Sequence, residues 1–227
     1  MSESGPLSIR QLARLLYAMG CTFDGLQSTF TATEEFLRTG DPNVLSSTAD
    51  YNLLLDLQQS ADYTSHYDYA HRPIDLEFIK SINAQLTRTA AMDPGKLRDV
   101  HSPVSVSTPL GRYEPPVPDP DTISALVENS IRRKEDDDLT KATNLFAGLA
   151  RMQPFGDGNK RTALLTANGL LIAAHYRQPL TVPINDEDRI WFNRELAAYY
   201  LCEDPTIISH LAAWNRRQSD YNDQLRS

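Results

Sequence analysis

Between Gln153 and Ala163 the chain sets Asp157, Asn159, Lys160 and Arg161 around two glycines, Gly156 and Gly158. One carboxylate, one amide and two cations at this density suit the holding of an anion. Gly158 can take a positive φ without penalty, and the backbone N–H groups after it are the unpaired donors of a new helix N-terminus. An apolar segment ends at Met152 and another begins at Leu164, so the loop is expected to lie between two helices that position it.

The rest of the composition supports an ordinary globular chain. At 227 residues, 41% hydrophobic and 23% charged, a sizeable core and a single domain over 1–227 are expected. A formal net charge of −8 argues against bulk binding to nucleic acid or to an anionic membrane, both of which need a cationic surface. Cys21 and Cys202 have no metal-ligand spacing and are expected to be small buried hydrophobes in a reducing compartment. The N-terminus lacks a signal-peptide layout, and the longest apolar run, Ala163 to Ala174, is interrupted by Thr166 and Asn168 and is too short to span a bilayer. A cytoplasmic, soluble protein without membrane partners is the expectation.

Periodicity predicts mostly helices. Ile9, Leu12, Leu15, Leu16 and Met19 form the first, before Gly20, and Cys21–Leu26 is a compact break. Thr31 with Glu34 is a capping-box pattern for a short helix to Gly40. Ser46 or Ser47 caps a longer helix through Leu53–Leu57, with Tyr63–His71 at or beyond its end. Pro73 is expected to start a helix through Leu76, Ile79, Ile82 and Leu86. From Val104 to Tyr113 the period falls to two around Pro109-Leu110-Gly111, which reads as one short β-hairpin. Pro115, Pro116, Pro118 and Pro120 are expected to form a stiff, non-helical connector. Helices follow around Ile123–Ile131, Leu139–Met152, from Leu164, from Asn185 and from Pro205. The helix from Leu164 is apolar on most faces and is expected at the centre. The fold class is therefore all-α, with one small hairpin.

The helix, the loop Pro154-Phe155-Gly156-Asp157-Gly158-Asn159-Lys160-Arg161 and the buried helix after it resemble the Fic/Doc (Fido) family. Asp93–Arg98 followed by Val104–Pro116 is similar to the family's β-hairpin flap, here about 103–114. Cys21–Gly25 with Thr31–Gly40 is similar to its N-terminal inhibitor region, here about 8–40. The resemblance implies a Fic-fold helical bundle that transfers AMP from ATP–Mg²⁺ to a hydroxyl of a target protein. By the same resemblance Asp157 would hold Mg²⁺, and Gly156, Gly158, Asn159, Lys160 and Arg161 of the loop (153–161) would hold the nucleotide phosphates. Flap residues Val104, Ser105, Val106, Ser107 and Thr108 would dock the target by strand addition. An antitoxin chain or self-association is a further partner that the resemblance allows. Taken one at a time, Asp157 as a turn residue and Asn159 as a helix cap are structural alternatives.

Three positions depart from the family pattern. Gln153 stands where the family has the His that takes the target's proton, and an amide does not titrate near neutral pH; losing a general base costs about 10²–10⁴-fold in rate. Leu164 stands where the AMP-transferring branch has a second Arg. Asp24 stands in place of the inhibitory Glu, and without that second Arg it is expected to have no ion pair to make. Lys160 with Leu164 leans toward the Doc branch, which phosphorylates its targets, whereas the long flap, the proline-rich connector and the N-terminal helices lean toward the Fic branch. The sequence therefore leaves open a weak or inactive adenylyltransferase, a silent nucleotide-binding or protein-interaction module, and a Doc-like kinase.

Overall fold

The computed structural model describes residues 7–89 and 93–224, with side chains to Gln218. Among them are nine α-helices and a two-stranded hairpin. Helix α1 (Ile9–Met19) opens on a capping box in which Ser8 and Gln11 satisfy one another's backbone donors. It runs into a single π-helical turn, Gly20–Asp24, which Gly25 ends at a left-handed φ of 71°. Helix α2 (Phe30–Thr39) is capped by Thr29, two residues before the Thr31 expected from the sequence. Helix α3 (Thr48–Ser65) is capped by Ser47 and takes in Tyr63. Helix α4 (Leu76–Asn83) starts from the Asp75 cap instead of Pro73, because the Asp75 side chain accepts from the Phe78 N–H whereas Pro73 lends its carbonyl to the Tyr67 hydroxyl.

Strands β1 (Val106–Thr108) and β2 (Gly111–Tyr113) pair antiparallel, with Val106 opposite Tyr113 and Thr108 opposite Gly111. The ladder is shorter than the Val104–Tyr113 stretch suggested. Continuing its register would set Val104 opposite Pro115, which has no N–H to donate, so Val104 and Ser105 precede the strand. Helix α5 (Pro120–Arg132) corrects the reading of the connector: Pro120 is its first residue, after the Asp119 cap, where a missing N–H costs nothing.

Helices α6 (Asp138–Met152) and α7 (Asn159–Ala173) pack against each other on either side of the loop. Helix α7 is central, touching α3, α4 and α6, and Leu164, Leu165 and Leu171 on it are buried. Burying each such side chain contributes roughly 1.5–3 kcal/mol. Close approach requires Gly169, where an added Cβ would lie 2.8 Å from both Phe78 and the Tyr69 hydroxyl. Helices α8 (Asp186–Cys202) and α9 (Thr206–Gln224) close the far side, and Tyr113 of the hairpin rests on Tyr200 of α8 at 5.3 Å between ring centres. Cys21 is half-buried, but Cys202 is exposed at the solvent-facing end of α8, contrary to the expectation that both would be buried. Among the described residues, no helix is long and apolar enough to cross a membrane.

Candidate anion site

Helix α6 ends at Gln153, held left-handed at φ 48°, ψ 60°. Its N–H reaches the Leu149 carbonyl, and its side-chain amide donates to the Ala150 carbonyl of the same helix end. The side chain also faces the buried Tyr200 hydroxyl, which forms no well-made hydrogen bond and whose ionisation burial pushes far up. At 5% exposure, Gln153 closes the helix end.

The carbonyls freed there are collected by Arg98, a residue that sequence reading did not single out. Its guanidinium donates to the carbonyls of Met152, Gln153, Pro115 and Pro116, and its own N–H donates to Pro154 at 2.9 Å. One buried cation thus ties the loop's entrance to the hairpin's exit. Burial pulls its pKa below the ordinary arginine value. Its neighbour Leu97 pairs with Phe155 in an isolated antiparallel bridge, and Phe155 is buried beneath the loop.

Asn159 serves the loop's shape. Its side chain accepts from the Phe155 N–H at 2.8 Å and donates to the Phe155 carbonyl at 2.9 Å, so both halves of the amide are engaged internally. It is not the helix cap that the sequence allowed: that position is Gly158, at φ 71°. A Cβ on Gly158 would lie 2.3 Å from a Leu86 methyl, so the glycine is required both for its φ and for space. Asn83 of α4 holds the loop from below, donating to the Asp157 carbonyl at 3.1 Å and the Thr162 hydroxyl at 3.0 Å while accepting from the Gly95 N–H at 2.8 Å.

Above this scaffold the charged groups converge. Unlike α1 to α6 and α8, α7 has no side-chain cap on its first turn. Arg161 lies in that turn with its side chain only 4% exposed. It donates to the Thr89 hydroxyl at 2.7 Å and lies 3.4 Å from Asp24 and 3.8 Å from Asp157. Lys160 sits 5.4 Å over the Phe23 ring, its pKa lowered by burial against the opposing pull of Asp24. Asp157 is half-exposed at the mouth and accepts the Gly158 N–H at 2.6 Å.

Asp24 overturns one expectation. Leu164 is indeed buried in the core and no second Arg stands there, yet Asp24 has an ion pair, with Arg161 itself. The π-helical turn carries the carboxylate over the first turn of α7. Burial raises its pKa from the ordinary 3.8 to about 6, with Arg161 pulling down, Asp157 pushing up and Lys160 pulling down. The site thus already contains an anion, at a desolvation cost that its cations do not fully offset.

Other expected site residues are spread around this centre. Gly156 lines a shallow groove with Lys96, Arg98 and Asp99. Among the described residues β1 pairs only with β2, which leaves the other edge of Val106, Ser107 and Thr108 without a strand partner. No cluster of three or more metal-ligating side chains occurs among the described residues. The single carboxylate of Asp157 fits Mg²⁺ only as a partial ligand set, to be completed by phosphate and water oxygens.

Residues 73–171, somewhat under half of the chain, match the sequence profile of the Fic/DOC family. No curated protein matches the sequence significantly. Among solved structures, the fold is similar to that of a Fic-domain-containing signaling protein from Bacteroides thetaiotaomicron, with a TM-score of 0.67 at 18% identity over 89% of this chain and 80% of that one. It is similar to Fic-1 from C. elegans, with a TM-score of 0.68 at 19% identity over 93% of this chain and 63% of that one. A Fic family protein from Desulfovibrio desulfuricans gives 0.63 at 13% identity over 94% of this chain and 66% of that one. At these identities the likeness establishes the fold, and the chain spans slightly less than two thirds of the latter two.

Proposed function

We propose, taking as premise that residues 73–171 carry the Fic/DOC family segment, that this protein binds the phosphates of ATP–Mg²⁺ at the N-terminus of α7 and transfers AMP slowly or not at all. The observation that carries the reading is the buried Arg161 beside the uncapped first turn of α7. Backbone N–H groups and a guanidinium fork on one helix end form a phosphate-binding arrangement. Asp24 sets its carboxylate oxygen against Arg161, where a phosphate oxygen of the nucleotide would compete with it.

Asp157 would hold Mg²⁺ at the mouth, and the ion would neutralise charge on the phosphate oxygens. Lys160, half-buried above the turn, adds positive potential. Asn159 contributes its backbone alone, since its side chain is engaged by Phe155. A target segment would add to the open edge of β1 through backbone hydrogen bonds.

The proton of a target hydroxyl is where this chain falls short. Gln153 cannot accept it, and its amide is turned into the end of α6. This favours nucleotide binding with little transfer over an efficient transferase, and it favours transfer of AMP no more than transfer of phosphate. Titration calorimetry with ATP–Mg²⁺ tests the binding, with Arg161→Ala expected to abolish it and Asp157→Ala to weaken its Mg²⁺ dependence. Labelled ATP with cell lysate tests the chemistry, with labelling expected to rise in Gln153→His. If the wild-type protein and Asp24→Asn both bind no nucleotide, the reading is wrong and a protein-interaction scaffold remains.

A further inference from the structure

We infer that Asp56 and Thr89 are positioning residues for the anion site, fixing one edge of the Arg161 guanidinium so that its other edge faces the incoming phosphate. The inference rests on the nucleotide reading above for its purpose, but on geometry alone for its existence. Asp56, in the middle of α3, is fully buried and accepts from four groups: the Arg88 N–H at 3.0 Å, the Thr89 N–H at 2.8 Å, the Thr89 hydroxyl at 2.8 Å and the Arg88 guanidinium at 3.0 Å. A hydroxyl has one proton. Thr89 gives it to Asp56 and must therefore meet Arg161 with a lone pair, accepting the guanidinium N–H at 2.7 Å.

The two edges of Arg161 are therefore unlike. The edge on Thr89 is hydrogen-bonded and backed by a saturated carboxylate. The edge carrying Nε and the second amino group meets Asp24 at 3.4 Å and Asp157 at 3.8 Å, longer than hydrogen bonds to nitrogen ordinarily are. A phosphate can displace contacts of that length while Thr89 keeps the guanidinium plane in place. A planar fork whose orientation is already fixed loses less freedom when it takes a second partner. A plain structural reading would have Asp56 do no more than hold the turn at Arg88 and Thr89. In that case the Thr89 hydroxyl would be dispensable to Arg161.

The test uses the full chain with Thr89→Val, Thr89→Ser and Asp56→Asn, with ATP–Mg²⁺ as the probe and urea unfolding to confirm that each variant is folded. Rotation of the Arg161 guanidinium about its Nε–Cζ bond, read by ¹⁵N NMR, is expected to be slow in the wild type and in Thr89→Ser and fast in Thr89→Val and Asp56→Asn. The dissociation constant for ATP–Mg²⁺ is expected to rise about tenfold in Thr89→Val and to return in Thr89→Ser, which corresponds to about 1.4 kcal/mol. Unchanged rotation in Thr89→Val overturns the inference, as does freed rotation with unchanged affinity. If rotation is freed but no form of the protein binds ATP–Mg²⁺, the nucleotide reading falls and the fixing of Arg161 by Thr89 stands.

Discussion

Asp24→Asn separates two forces that act on the same carboxylate in opposite directions. Asp24 is a carboxyl whose folded pKa, about 6, lies above its ordinary 3.8. Between those values the folded protein holds a proton that the unfolded chain has released, so stability falls as pH rises through the window. The stability is fully present below the unfolded pKa and fully lost above the folded one. Two pKa units at 1.36 kcal/mol each set an upper bound of about 3 kcal/mol at pH 7, which solvent screening at the partly exposed Asp24 reduces. Asparagine mimics the protonated carboxyl and escapes that cost. Asp24→Asn is therefore expected to be more stable than the wild type at pH 7 by up to about 3 kcal/mol, and by only about 0.5 kcal/mol at pH 4. Urea denaturation of both proteins at a series of pH values measures this, because titrating groups distant from Asp24 are shared and cancel in the difference, which leaves Asp24 and the Asp157 and Lys160 charges coupled to it. The opposing force is the ion pair with Arg161, whose side chain is 4% exposed. Breaking a fully buried pair by removing one partner typically costs about 3–5 kcal/mol, and this pair costs less because the Asp24 side chain is 22% exposed. A variant less stable than the wild type at pH 7 would show that attraction outweighs desolvation, and the account of Asp24 as a costly carboxylate would be wrong.

Other substitutions probe the scaffold and the site separately. Asp24→Ala should tighten ATP–Mg²⁺ binding at pH 7 by about tenfold or more, since phosphate no longer competes for Arg161; calorimetry showing equal or weaker binding would contradict this. Gly158→Ala should cost about 2–4 kcal/mol in urea unfolding, because it adds a Cβ 2.3 Å from Leu86 at a φ of 71°. Arg98→Met should free the loop and the hairpin from one another, seen as faster amide exchange at Phe155 and Tyr113 together; protection retained at both would rule out the carbonyl clamp. Asn159→Ala leaves the buried N–H and carbonyl of Phe155 unpaired and should cost about 2–4 kcal/mol in the same unfolding assay.

Much of the architecture was legible because local signals coincided with tertiary need. Ser47, one of two caps offered for α3, the helix start at Asn185, and the apolar spacing of α1 and α7 read directly from the sequence, whereas the Ser8 cap did not. Errors arose where two chemically suitable residues lay close together: Thr29 rather than Thr31, and Asp75 rather than Pro73, because the cap is the residue whose side chain reaches the first-turn N–H, here Ala32 and Phe78. Pro120 was misread because proline forbids a helix interior but suits its first position. The loop's charged residues were visible as a cluster, whereas the groups that hold them were not. Asn83, Arg98, Thr89 and Asp56 lie in segments distant from it, and no local pattern marks them as partners of the loop. The Asp93–Arg98 run was the one hint, and it pointed to the flap rather than to a carbonyl clamp.

By itself the sequence determined that a glycine-bearing, cationic turn precedes a buried helix, and that Gln153 cannot serve as a base there. Both follow from residue type: glycine takes a left-handed turn without penalty, and an amide has no useful titration. Only the tertiary structure decided which groups share the pocket. It turned Asn159 inward to Phe155, set Arg161 on a Thr89 that Asp56 holds, and brought Asp24 against the cation that it had been expected to lack. Asp24 and Arg161 are far apart along the chain, and a contact of that kind exists only once the π-helical turn and α7 are packed together, where burial sets the strength of every charge between them.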